Sequence, residues 1–251
     1  MRSVDNGVSG LSLQAQRPSL ARRLSAFGIE SDEPFVRLST PLRRQAMHRI
    51  ECILRNEPDP NEPEFFERFM RAVDTLSQKG FAFDLESEEE VDGALHLVWV
   101  ERDELGELTL IKDQTSGISS VAVAVPKVAD LKCIEEVLNQ HLDIVPLSEL
   151  LASSPNGLAT QPNILLKIAL IAVHQHIDPE VVSILQRGLE HRLPQLRYYA
   201  AFGIGVTTWP VFILDLERLL KLEPDVDVST MAERALDVCR IAEKRASNGR
   251  R

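Results

Sequence analysis

The sequence predicts a mainly α-helical chain, with an N-terminal α+β region holding a small antiparallel sheet and a C-terminal half of stacked helix pairs. Three observations predict this. A pattern of apolar and small residues recurs through the C-terminal half at spacings of 31 and 35 residues. Apolar residues alternate with period two between Phe81 and Val125. Aromatics make up only 5 % of the 251 residues, so Leu, Ala, Val and Ile must fill the core, as suits packed helices.

The recurrence centres on Leu189 to Gly205. A helix ends there, a short link carries Pro194, and Ala200, Ala201 and Gly203 give the next helix a small inner face that lets a neighbour approach closely. Leu165, Ala169, Leu170, Ala172 and Val173 stand 31 residues before Leu196, Ala200, Ala201, Gly203 and Ile204. Met231, Ala235, Leu236, Val238 and Cys239 stand 35 residues after them. Pro179, Val182, Leu185 and Leu189 match Pro210, Ile213, Leu216 and Leu220, again 31 apart. Leu196, Arg197, Ala200, Ala201, Gly203, Ile204 and Gly205 resemble the HEAT-repeat signature, with Gly203 where Ala is usual and no Asp in the turn. The resemblance implies a HEAT-like (armadillo-type) α-solenoid over 127–246, a fold whose extended surface binds other proteins. An ordinary helical bundle with coincident helix lengths is the alternative.

In chain order, residues 1–17 read as a disordered tail, polar and without a signal-peptide core. Leu20, Leu24 and Phe27 predict a short helix over 18–27. It contains Arg22-Arg23-Leu24-Ser25, a basic-directed kinase pattern short enough to arise by chance. Thr40-Pro41 reads as a helix start for 41–55, with Ala46, Met47, Ile50, Ile53 and Leu54 inward. Phe65, Phe66, Phe69, Val73 and Leu76 make one stripe of a helix over 63–79 that Gly80 ends.

The period then changes. Leu95, Leu97 and Trp99, then Leu108 and Leu110, then Val121, Val123 and Val125 alternate as strands of a small sheet over 94–125. From Ser87, a capping box with Glu90 offers a competing helical reading, so 87–101 is open between helix and strand. The α+β region is taken as 18–126. A helix over 127–142 follows, then a short one from Pro146 to Ser153, a loop at 154–157 and the repeats. The last residues, 247–251, read as a frayed tail.

The net charge of −10 opposes binding to double-stranded nucleic acid, which needs a cationic surface, and suits a basic partner. No apolar run reaches the length of a membrane span. Cys52, Cys133 and Cys239 are odd in number and far apart, as reduced thiols of a cytoplasmic protein would be. His174 and His176 point to different helix faces and lack a third ligand, so no metal is expected. There is no nucleophile elbow, phosphate-cradling loop or dinucleotide fingerprint, so neither catalytic residues nor a cofactor is assigned.

The acids of 84–92 and the group Asp215, Glu217, Glu223, Asp225 and Asp227 read either as solvated faces or as lures for an electropositive partner. The expected binding residues are Glu88, Glu89 and Glu90 together with Arg197, Tyr198 and Trp209. For Arg197 the first reading is structural, since the matching Arg of HEAT repeats ties adjacent turns together. The function expected is a non-catalytic protein–protein interaction module, scaffold or adaptor with a basic partner. The alternatives are an immunity-type inhibitor of a basic toxin, a HEAT-like enzyme such as a lyase acting on a bound chromophore, and a subunit capping a larger assembly.

Overall fold

The computed structural model describes residues 47–55, 63–91, 93–102, 106–157 and 161–248. The predicted tail 1–17, the helix over 18–27 with Ser25, and the Thr40-Pro41 cap lie outside them. Six strands form one antiparallel sheet: β1 (His48–Leu54), β2 (Phe83–Val91), β3 (Ala94–Glu101), β4 (Glu107–Asp113), β5 (Ile118–Val125) and β6 (Ile144–Val145), in the order β2-β3-β4-β5-β1-β6. The strands β2 to β5 are a meander. β1 returns antiparallel beside β5 and carries the two-residue β6 on its far side.

Alternation decides what each face meets. Cys52, Leu54, Leu97, Trp99, Leu108, Leu110, Val121, Val123 and Val125 share one face. Helices α1 (Pro63–Gln78) and α2 (Val128–His141) cover it with Phe65, Phe69, Leu76, Ile134, Val137 and Leu138. Phe69 meets Trp99 with ring centroids 4.7 Å apart and Phe65 at 6.4 Å.

The second face meets the C-terminal helices. These are α3 (Leu147–Gly157), α4 (Ile164–Ala172), α5 (Pro179–Leu189), α6 (Pro194–Thr207), α7 (Ile213–Leu222) and α8 (Val226–Asn248), with a 3-10 turn at Pro210–Phe212. α6 lies between α4 and α8, while α5 and α7 pack behind them. A small cluster of Ile53 and Ile118 from the sheet with Leu166 and Val206 from α4 and α6 joins the two halves. Asn163 adds a hydrogen bond, its Nδ2 donating to the Ser116 carbonyl at 2.9 Å.

Two expectations are corrected here. The described chain is 58 % helical and 22 % strand, and a six-stranded sheet fills the N-terminal half, so the fold is α+β rather than mainly α. The helices after the sheet do not show a HEAT-like solenoid. The small residues that suggested one are explained by close packing alone. A Cβ on Gly188 would sit 2.8 Å from the Ala200 Cβ, and one on Gly203 would sit 2.9 Å from the Ala169 Cβ. Any two-layered helical assembly makes that demand.

The second correction is local. Residues 48–54 form strand β1, not the end of a helix. Ile50, Ile53 and Leu54 fit a helical stripe, but Cys52 and Leu54 point to one sheet face and Ile53 to the other. β-branched Ile50 and Ile53 suit that pleated site, and pairing with β5 overrides the local reading. Residues 87–91 are strand as well. Helix α3 continues through the predicted loop to Gly157, and α8 runs on to Asn248.

Candidate functional site: the acidic edge of the sheet

Strand β2 ends the sheet and, among the described residues, pairs with β3 alone. An edge strand keeps half of its backbone donors and acceptors turned outward. The pairing slips between Leu85 and Ser87, so Glu86 occupies a bulge and 87–91 forms a straight run beyond it. Glu88 and Glu90 lie opposite Leu97 and Leu95, on the face of α1 and α2, and Glu89 lies opposite His96 on the other face.

Both faces of this edge are therefore acidic. Asp84, Leu85, Glu86, Glu88, Glu89 and Glu90 are all exposed. Asp84 is tied to Arg102 at 2.9 Å, a contact that fastens the start of β2 to the end of β3 and holds the Asp84 carboxyl below its usual range. Glu88, Glu89 and Glu90 make no salt bridge among the described residues. Same-face carboxylates two residues apart sit roughly 7 Å from each other. In water that repulsion costs about 0.6 kcal/mol per pair, small enough for the strand to bear and available to an approaching cation. Among the described residues no cluster of three His, Cys, Asp or Glu side chains is placed to hold a metal ion. The edge offers hydrogen-bond acceptors and negative charge.

The other predicted binding residues are placed differently. Arg197 is largely buried and faces inward, its Nε and Nη2 donating to the two Glu223 carboxylate oxygens at 2.6 and 2.7 Å. Its Nη1 donates to the carbonyls of His191 and Arg192. Trp209 is buried and stacks on Phe212 with an interplanar angle of 5°. Tyr198 is half-buried, edge-on to Tyr199 and Phe202 beside the inter-half contact. Arg197 and Trp209 are thus turned into the packing of the helices, and Tyr198 is half-covered by it.

The second acidic concentration is internal wiring. Asp215 accepts from Gln186 Nε2 at 2.8 Å and pairs with Arg218, Glu217 pairs with Arg240, and Asp225 accepts the backbone N–H groups of Asp227 and Val228 at the start of α8. His174 and His176 stand in an exposed turn after α4, not on a helix.

One notable carboxyl escaped the sequence reading. Glu51 of β1 lies on the second face of the sheet, where burial pushes its pKa up to about 7 against the opposing effect of a 2.7 Å hydrogen bond from Ser120 Oγ. Nothing in the local pattern distinguishes it, because the desolvation comes from the sheet partner and the helices over it.

The fold and its edge define an α+β protein whose long acidic strand β2 is open on one side among the described residues. No family model matches the chain, and no curated protein or solved structure matches it.

Proposed function

We propose that this protein is a non-catalytic protein–protein interaction module whose partner presents a basic surface to β2. One observation carries the reading. Of the two acidic concentrations, Asp215, Glu217, Glu223 and Asp225 are taken up by internal arginines and helix capping, whereas Glu88, Glu89 and Glu90 are exposed and unpaired among the described residues. Unpaired same-sign charge on an ordered strand raises the encounter rate with a cationic partner and disfavours acidic ones. No described helix is long and apolar enough to cross a membrane, and the three cysteines are free thiols, which suits a partner met in the cytoplasm.

The test is an affinity capture from native lysate with the wild-type chain and with E88K/E89K/E90K, at two salt concentrations. The expected result is a stoichiometric basic protein held by the wild type at low salt, released at high salt and absent from the variant. Identical captured proteins for both chains would overturn the reading.

A further inference from the structure

Resting on that reading, we infer how the partner docks: it adds an extended basic segment to the open edge of β2 as a seventh strand, with a run of Lys or Arg set against Glu88, Glu89 and Glu90. The primary feature is the edge itself. β2 is nine residues long and pairs on one side only among the described residues, so its outward backbone groups form a ready hydrogen-bonding template. At the opposite end of the sheet, the two-residue β6 covers only Ile53 and Leu54 of β1, and the stretch it leaves open among the described residues begins with His48 and Arg49, which do not attract a basic segment. The bulge at Glu86 limits the straight part of the template to 87–91.

The charges choose the occupant. A second copy of this chain, pairing edge to edge, would bring three glutamates beside three glutamates, and like charges on adjacent strands are destabilising. A basic strand meets the reverse situation. Because Glu88 and Glu90 share one face and Glu89 takes the other, a strand with basic residues at alternate positions satisfies only part of the edge. A continuous basic run places cations on both faces. Leu85, 57 % exposed just before the bulge, supplies an apolar contact for a residue flanking that run.

The experiment uses the full chain and two fluorescent heptapeptides, Val-Val-Lys-Lys-Lys-Val-Val and the same peptide N-methylated at all three lysines. Methylation keeps every charge and removes the backbone donors needed for a ladder. Anisotropy titrations at low salt are read together with amide hydrogen exchange over 87–91. The expected result is at least ten-fold weaker binding of the methylated peptide, slowed exchange in 87–91 with the unmethylated one, and loss of binding in both E88K/E89K/E90K and E88Q/E89Q/E90Q. Equal binding of the two peptides without protection of 87–91 would overturn strand addition while leaving the acidic surface as a binding site. Failure of both peptides to bind at millimolar concentration would overturn both.

Discussion

Arg197 at the start of α6 and Glu223 at the end of α7 form a two-pronged ion pair whose carboxylate side chain is only 1 % exposed. The Asp225 backbone N–H donates to the same carboxylate at 3.0 Å, so one guanidinium and one carboxylate fix the 191–193 and 223–225 turns together. Removing one partner leaves the other charge buried and uncompensated. Arg197→Ala is expected to lower unfolding stability by about 3–5 kcal/mol. Glu223→Ala should cost a similar amount, and the double variant far less than the sum, by urea denaturation of all four proteins. The hydrogen bond from Arg197 holds the Glu223 carboxyl below its ordinary pKa. The pair's contribution is thus present above the unfolded-state value and is lost as pH falls through the folded one.

Glu51 has the opposite sign. Its folded pKa of about 7 stands above the ordinary 4.5, so the folded state favours the protonated carboxyl. That preference is fully present below 4.5 and is lost as pH rises through 7. Glu51→Gln keeps an acceptor for Ser120 Oγ and cannot ionise. The variant should gain ~3 kcal/mol over wild type at pH 8, and the difference should shrink toward zero near pH 4. Denaturation midpoints across that range would show it. Parallel curves for the two proteins would mean that Glu51 ionises freely in the fold.

The glycines of α6 make a paired prediction. In a helix interior, Gly→Ala gains about 1 kcal/mol from propensity. At Gly205 the added methyl lies 3.6 Å from Ala235, an ordinary contact, so Gly205→Ala should stabilise by about that amount. At Gly203 it would lie 2.9 Å from the Ala169 Cβ and 3.2 Å from the Leu165 carbonyl oxygen. Overpacking of this kind costs about 1–3 kcal/mol, which outweighs the propensity gain. Thermal melting of the two variants should therefore shift in opposite directions.

The thiols should react in a fixed order. Burial pushes Cys52 up to about 12, aided by the charges of Glu135 and Glu51, and burial alone pushes Cys239 up to about 12. Cys133 is half-buried on α2. Alkylation of the native protein at pH 8, followed by peptide mass mapping, should label Cys133 first and the other two only after denaturant is added. Rapid native labelling of Cys52 would contradict the packing of β1 against α1 and α2.

Much of the local structure was legible in the sequence. The helices around Phe69 and Ile134 and the alternation in β3, β4 and β5 are written in residue periodicity, because each element buries a single face and the spacing of apolar residues records which one. Glu88, Glu89 and Glu90 could be singled out as charge, but not as an edge. That β2 pairs on one side only among the described residues is a property of the strand order.

What the tertiary structure decided is everything that depends on partners distant in the chain. β1 reads as a helix until β5 pairs with it, since Ile50, Ile53 and Leu54 fit either period. Trp209 is buried against Phe212, and the structural role read first for Arg197 finds its partner, Glu223, only once α7 folds beside α6. The small residues at Ala200, Ala201 and Gly203 fixed how closely helices approach, but not the arrangement that follows. Close approach is a pairwise constraint that several layered architectures satisfy, and only burial of the sheet's second face against α4 and α6 selects among them.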